Sequence, residues 1–426
     1  MDKFIIKGPT SLKGTIPISG SKNAALPLMA ASLLGDSPSD IQLVPRLKDI
    51  YTFNNVIRVT GARVDFNEEE NRLTIDPKNL GYLEAPYDLV RKMRASFYML
   101  GALIGHSGQA KVSLPGGCAW GPRPVDLHLK GFEEMGINIE LDQGYVHAST
   151  KNHSVEGGEF TLKPSSVGAT INLVLGAVKR AKKFTIHNAA REPDVVLLCK
   201  MLQQMGADIE GIGTSTLTIR KVDKLSGIEF SNDPDRIETG TFMIAAAMLP
   251  ESDVTLTGCK PKDLGRFPNA FKKLGVDFSI DGSNIHIKSN KTIHPVSIKT
   301  EIYPGFPTDL QAQWATLMTQ ASGTSTVTDT VYFDRFSYVP ELNRLGANMK
   351  VEKNKVTIHG KTPLDGASVM STDLRASVSL VMAAMAAGGR SEILRIYHLD
   401  RGYENLEEKL NNAGASIKRV AQEIPA

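Results

Sequence analysis

The stretch Leu114-Pro115-Gly116-Gly117-Cys118-Ala119-Trp120-Gly121-Pro122-Arg123-Pro124-Val125-Asp126-Leu127-His128 sets a thiol among glycines and prolines, with a cation five residues further on. Such a composition reads as a long surface loop, and a nearby cation favours the reactive thiolate. Cys118 is therefore a candidate reactive thiol, whereas most free cysteines are inert, buried hydrophobes, and Cys199 and Cys259 read as such. No histidine or aspartate stands at a spacing that announces a thiol-protease pair. A second group of polar residues recurs in short segments: Ser19 to Asn23, Arg91 to Arg94, Ser165 to Gly168, Asp235 to Thr239, Pro307 to Asp309 and Ser371 to Arg375. Taken singly these are helix N-caps. Their shared position and the bases Lys22, Arg94, Arg236 and Arg375 suggest more, because several helix N-termini pointing one way with cations among them bind anions, phosphate above all. A third cluster holds Asp334 and Arg335, then Arg395 to Tyr403 with Arg401, and suggests the same anion pocket. His128 and His398 are of a type that titrates near neutrality. No His, Cys or carboxylate set has metal-ligand spacing, so no metal is expected. Neither a Walker loop nor a Gly-x-Gly-x-x-Gly helix start is present.

The elements that must carry these residues repeat. A helix-like stretch ending in glycine, followed by strand-like sequence, occurs at Gly61, Gly136, Gly206, Gly275, Gly346 and Gly414, spaced 75, 70, 69, 71 and 68 residues apart. Each glycine falls where a helix C-terminus needs a left-handed residue. After most of them comes a hairpin, as in Phe278 to Ile287 with Asp281-Gly282 at its turn. Out of phase run six small-residue helices: Ala24 to Leu33, Ala95 to Leu103, Ala169 to Val178, Thr241 to Met248, Leu310 to Met318 and Ala376 to Ala386. Being apolar nearly all round, they should be buried. The unit reads β-α-β-α-β-β, repeated six times, and a supersecondary unit of that length buries its faces only against others. Polar capping repeats are absent, which disfavours a solenoid and favours two globular domains of three units each.

The 426 residues suit two or three domains. There is no signal-like N-terminus and no apolar run of bilayer length, and three scattered cysteines argue against a disulfide framework. A cytoplasmic location is expected, with no membrane partner. A net charge of +3 and 6% aromatic residues give no basic-aromatic surface for nucleic acid.

Several of these motifs together resemble the UDP-N-acetylglucosamine enolpyruvyl transferases of the enolpyruvyl transferase family. They are Lys22-Asn23, the Pro-Gly-Gly-Cys loop ending at Arg123, Asn188 to Pro193, Asp235 to Gly240, Phe306 to Asp309, Asp373 to Ala376 and Arg395 to Tyr403, in order from Phe4 to about Val420. The resemblance implies an α/β fold, a two-domain inside-out α/β barrel with strands outside and buried helices inside. One domain would span 22–230 and the other 1–21 with 231–426, with the active site in the cleft between. It implies transfer of the enolpyruvyl group of phosphoenolpyruvate to the 3-hydroxyl of UDP-N-acetylglucosamine, with no cofactor, as the first committed step of peptidoglycan synthesis. On that resemblance Lys22, Asn23, Arg123, Arg335, Arg375 and Arg401 would hold phosphoenolpyruvate, where arginine forks suit planar anions. Cys118 would deliver a proton to the enolpyruvyl methylene, and Asp309 would take the proton of the sugar hydroxyl. Arg94, Arg123, Pro124, Val125, Asp126, Leu127, Ser165, Ser166, Val167, Asp309 and Val331 would contact the sugar nucleotide. One departure is Pro164, which stands where a lysine is common in the family, beside Lys163. The rival within the fold, which transfers the same group to shikimate 3-phosphate, resembles Lys-Ser at the first motif and lacks the cysteine loop. The residues also leave room for an RNA-end-processing protein on a related repeat and for a catalytically silent regulatory copy. Oligomeric state stays open.

Overall fold

A computed structural model describes residues 2–91, 93–115 and 125–421. The chain forms two compact units, Met1–Ser19 with Pro234–Ala426, and Gly20–Asp233. The first is termed the outer unit and the second the inner unit, after their places in the sequence. Each has its own apolar core.

Six four-stranded sheets account for the strands, three in each unit, and all share one plan. An edge strand runs parallel to its neighbour, and the other two strands follow antiparallel. In the inner unit, for example, Glu229–Ser231 pairs parallel with Ser39–Gln42, which pairs antiparallel with Arg72–Asp76, itself paired with Arg63–Asn67. Burial alternates along strands such as Arg72–Asp76 and Lys355–His359, as expected for sheets with one face on a core and the other in water. The hairpin at Asp281-Gly282 forms as expected, with Asp281 opposite Asn284 and Gly282 at φ +56°. The sixth repeat closes differently from the others. Among the described residues one strand follows Gly414, Ile417–Ala421, and its partner is the N-terminal strand Asp2–Gly8, which lies between it and Gly389–Leu394.

The six small-residue helices are present: Lys22–Ser32, Tyr98–Ser107 and Val167–Ala177 in the inner unit, Arg236–Met248, Gln311–Met318 and Leu374–Ala386 in the outer. They are buried nearly throughout, and within each unit the sheets lie outside them. The six spaced glycines adopt φ between +77° and +112°, the left-handed conformation that ends their helices. Four of the polar segments act as N-caps: the Ser21, Ser166, Asp235 and Asp373 side chains each accept a hydrogen bond from a backbone N–H of the first helical turn.

Small residues let these helices approach closely. Between Tyr98–Ser107 and Val167–Ala177, a Cβ placed on Gly101 would lie 2.4 Å from the Asn172 carbonyl oxygen. The clash is with backbone, so no side-chain rotation relieves it. A Gly101→Ala variant is expected to lose about 3 kcal/mol of stability and to melt about 6–12 °C lower by calorimetry. An unchanged melting point would mean that the helices separate at little cost. Among the described residues no helix is long and apolar enough to cross a membrane.

Candidate active site

In the outer unit three of the sequence-derived residues meet. Asp309 lies in a 3-10 turn, Thr308–Leu310, that leads into Gln311–Met318. Arg375 is the second residue of Leu374–Ala386, and Arg335 lies in the segment before Tyr338–Arg344. One Arg335 nitrogen is 2.8 Å from Asp309 Oδ1, and one Arg375 nitrogen is 3.2 Å from Asp309 Oδ2, so each carboxylate oxygen faces a different guanidinium. Burial alone would raise the Asp309 carboxyl, but Arg375, then Arg335, and Arg236 beyond them outweigh it and hold it well below the carboxylate range. The Asp309 side chain keeps 28% of its surface exposed, against 6% for Arg375, so a ligand has access to the acid while the base is fixed from behind. Arg236, at the start of its helix, stacks on Tyr303. Arg401 ends the 3-10 turn Ile396–Arg401, two residues ahead of the buried Tyr403.

Val331 is held by a residue that sequence reasoning missed. Asp329 is fully buried and accepts hydrogen bonds from Thr300 Oγ1, Thr308 Oγ1 and the backbone N–H groups of Val331 and Tyr332. One carboxylate thus ties the Val331 segment to the turn carrying Asp309. Arg335 stacks on the Tyr332 ring at 5.5 Å, on the same segment.

In the inner unit Lys22 begins its helix and pairs with Asp49 at 3.0 Å, both largely buried, with Asn23 beside it and half-buried. A second constellation gathers around His128. Arg94 begins the 3-10 turn Arg94–Phe97, Val125 precedes the helix Asp126–Met135, and Ser165 to Val167 lead into Val167–Ala177. Asn172 joins these elements: its Nδ2 donates to Phe97 O and His128 Nδ1, while its Oδ1 accepts from Gly101 N–H. Since His128 Nδ1 accepts, the neutral ring carries its proton on Nε2. Lys163 and Pro164 are both exposed. Cys118, Arg123 and Pro124 lie outside the described residues.

Burial, and then the charge of Arg94, push His128 down to about 3, and burial likewise lowers His398. The expectation that His128 titrates near neutrality is therefore corrected: it is a neutral structural hydrogen-bond acceptor. An acid dependence follows. The unfolded imidazole takes a proton below about 6.5 and the folded one only below about 3, so the unfolded chain binds the extra proton through that window. Stability is lost as the pH falls through it, by up to about 1.4 kcal/mol per pH unit from this group. Urea unfolding between pH 6.5 and 4 should show that slope, reduced by the same amount in His128→Gln. Equal slopes in both proteins would remove His128 as its source.

Among the described residues no group of three or more His, Cys, Asp or Glu side chains is arranged to hold a metal ion. What the outer unit presents is a row of guanidiniums with one carboxylate among them, an arrangement suited to a small, dense anion and to removing a proton from a neighbouring hydroxyl.

Comparison with known proteins shows the family. The family model described as EPSP synthase (3-phosphoshikimate 1-carboxyvinyltransferase) matches residues 6–410. UDP-N-acetylglucosamine 1-carboxyvinyltransferases from Chloroherpeton thalassium and Chlorobaculum parvum are 49% and 48% identical over 420 residues, covering 98% of this chain and 97% and 98% of theirs. Among solved structures, the enolpyruvyl transferase NikO from Streptomyces tendae superposes with a TM-score of 0.91 at 25% identity, covering 99% of each chain. An EPSP synthase from Acinetobacter baumannii gives 0.76 at 19% identity, over 99% of this chain and all of the other, a likeness of fold alone.

Proposed function

The chain belongs to the EPSP synthase family of enolpyruvyl transferases, and on that premise we propose how its own residues carry the reaction. It transfers the enolpyruvyl group of phosphoenolpyruvate to the 3-hydroxyl of UDP-N-acetylglucosamine and releases phosphate, the step that commits the sugar nucleotide to peptidoglycan synthesis. The observation that carries this is near-half identity along almost the whole chain to enzymes named for that acceptor.

In the proposed sequence Asp309 takes the proton of the 3-hydroxyl as its oxygen bonds to C2 of phosphoenolpyruvate, and Cys118 supplies a proton to C3. The product of this addition is a tetrahedral ketal. Loss of a proton from C3 then restores the double bond while the C2–O bond to phosphate breaks. Lys22, Asn23, Arg123, Arg335, Arg375 and Arg401 hold the phosphate and carboxylate, and positive charge fixed in advance stabilises what develops on the leaving oxygen. Arg94, Arg123 to Leu127, Ser165 to Val167 and Val331 hold the sugar nucleotide.

The free, buried thiols of Cys199 and Cys259 are in keeping with a reducing compartment, and on that footing we place the reaction in the cytoplasm. Phosphate release measured with phosphoenolpyruvate and each of two acceptors tests the reading. Turnover is expected with UDP-N-acetylglucosamine and none with shikimate 3-phosphate; the reverse pattern overturns it.

A further inference from the structure

The polar groups behind Arg375 follow an order that serves more than packing. Tyr403, 3% exposed, directs its hydroxyl to the point where one side chain arrives from each of the three buried helices of the outer unit: Thr241 from Arg236–Met248, Gln313 from Gln311–Met318 and Arg375 from Leu374–Ala386. Most protons in this cluster have an assignable place. Thr241 Oγ1 donates to Ile237 O at 2.8 Å, so it accepts from Tyr403 at 2.9 Å. The Tyr403 oxygen then accepts from Arg375 at 3.3 Å, while Gln313 Nε2 lies 3.1 Å from Thr241 Oγ1 and 3.3 Å from the Tyr403 oxygen and shares one proton between them. Gln313 Nε2 also reaches the backbone oxygen of Asp309 at 2.9 Å, which fixes the orientation of its amide, and the Gln313 Oε1 left over is buried without a partner. Burying an amide oxygen unsatisfied costs more than apolar side chains would cost in its place.

The Arg375 guanidinium meets the Tyr403 hydroxyl through one terminal nitrogen and Asp309 through the other. An arginine beside a carboxylate otherwise closes into a two-bonded fork, the strongest pairing open to it. With one nitrogen drawn to Tyr403, Arg375 contacts Asp309 through a single nitrogen, and the second carboxylate oxygen is left to Arg335.

We propose that Tyr403 is the positioning residue for Arg375, its hydroxyl keeping the guanidinium out of a closed fork with Asp309 and in the orientation that receives phosphoenolpyruvate. This rests on the reading that Arg375 binds that substrate. Tyr403 acts through Arg375 and need not touch substrate itself.

Steady-state kinetics of the full-length enzyme, with each substrate varied in turn, test the inference. Tyr403→Phe is expected to raise KM for phosphoenolpyruvate about 10-fold, the worth of one hydrogen bond to a charged group, with KM for UDP-N-acetylglucosamine within about two-fold. Thr241→Val, which removes the acceptor for the Tyr403 proton, should shift the same constant in the same direction, and Thr241→Ser should restore it. In an Arg375→Ala background the Tyr403→Phe change should add nothing. If Arg375→Ala itself leaves KM for phosphoenolpyruvate unchanged, the underlying reading of Arg375 falls and the inference with it. If Arg375→Ala weakens phosphoenolpyruvate but Tyr403→Phe does not, or weakens both substrates alike, or acts as strongly without Arg375, the positioning role is overturned while the reading of Arg375 stands.

Discussion

Asp309→Ala is expected to lower turnover by roughly 10²–10⁴-fold, the usual worth of a positioned general base, with only a modest loss of UDP-N-acetylglucosamine binding. The substitution also leaves Arg335 and Arg375 without the carboxylate they share, so phosphoenolpyruvate should bind at least as tightly as before. That split separates loss of a base from loss of a binding site. Geometry also resolves an apparent conflict, since a carboxyl held far below its ordinary range is a weak base. An anion bound to Arg335 and Arg375 offsets their positive charge at Asp309, and the proton affinity of the carboxylate rises when the substrate is in place. The sign is therefore definite: the acidic limb of kcat, measured with phosphoenolpyruvate saturating, should lie at higher pH than the titration of Asp309 in the free enzyme. Near-normal turnover of Asp309→Ala removes the residue from the chemistry, and coincident limbs remove the coupling.

Alkylation by a small electrophilic phosphonate epoxide should modify Cys118 and spare the other two cysteines. The selectivity follows from what surrounds the latter. Burial pushes the Cys199 thiol up to about 12, and the Cys259 thiol up to about 11, so neither offers measurable thiolate at neutral pH. Cys118 follows a glycine pair and precedes Arg123 in sequence, and the phosphonate mimics the anion for which the proposed site is built. Cys118→Ser should abolish modification and lower turnover by at least about 10²-fold, because a hydroxyl is too weak an acid to replace the thiol. Cys118→Asp should retain part of the rate, since a carboxylic acid also delivers a proton. The rate of alkylation should rise when UDP-N-acetylglucosamine is added. Peptide mass mapping reads the outcome, and label spread over all three cysteines, or indifferent to the sugar nucleotide, contradicts the assignment.

Much of this molecule was legible because its repeats mark their own punctuation. A helix that must end in the left-handed region selects glycine, and six such glycines at nearly constant spacing expose the plan without any knowledge of contacts. The apolar helices were legible for a related reason: with no polar face, they had nowhere to lie but inside. The closing strand of the sixth repeat was not legible, because Asp2–Gly8 and its partners lie at opposite ends of the chain, with Lys3 bonded to Glu392 across 389 positions. At the site, Asp309, Arg335 and Arg375 each stood out by type and place, yet nothing local told that the acid would sit between the two bases. Thr241, Gln313 and Asp329 were not singled out, and Tyr403 entered only as the end of the Arg395 to Tyr403 cluster. Polar residues on apolar helices, as Thr241 and Gln313 are, give no periodic signal of their own, and their importance arises only when packing brings several to one point. His128 was misjudged for the same reason, since burial, which sets its protonation, is a property of the fold.

The position of the N-terminal strand has a bearing on how the protein is made. A chain emerging from the ribosome produces Asp2–Gly8 first and both its neighbours, Gly389–Leu394 and Ile417–Ala421, last. Gly20–Asp233 has all of its strands once Ser231 is out, and its ends already meet, with Ser21 N–H bonded to Asp233 O at 2.7 Å. The inner unit can therefore fold while synthesis continues, but Phe4 and Ile6, fully buried at the end, stay uncovered until Gly389–Leu394 and Ile417–Ala421 are made. An apolar strand with two open edges is a template for pairing with other chains, and larger proteins in this condition are the ones that aggregate or need chaperones. Premature termination just short of Ile417 would leave such a nascent product with a finished inner unit and an outer unit that cannot close.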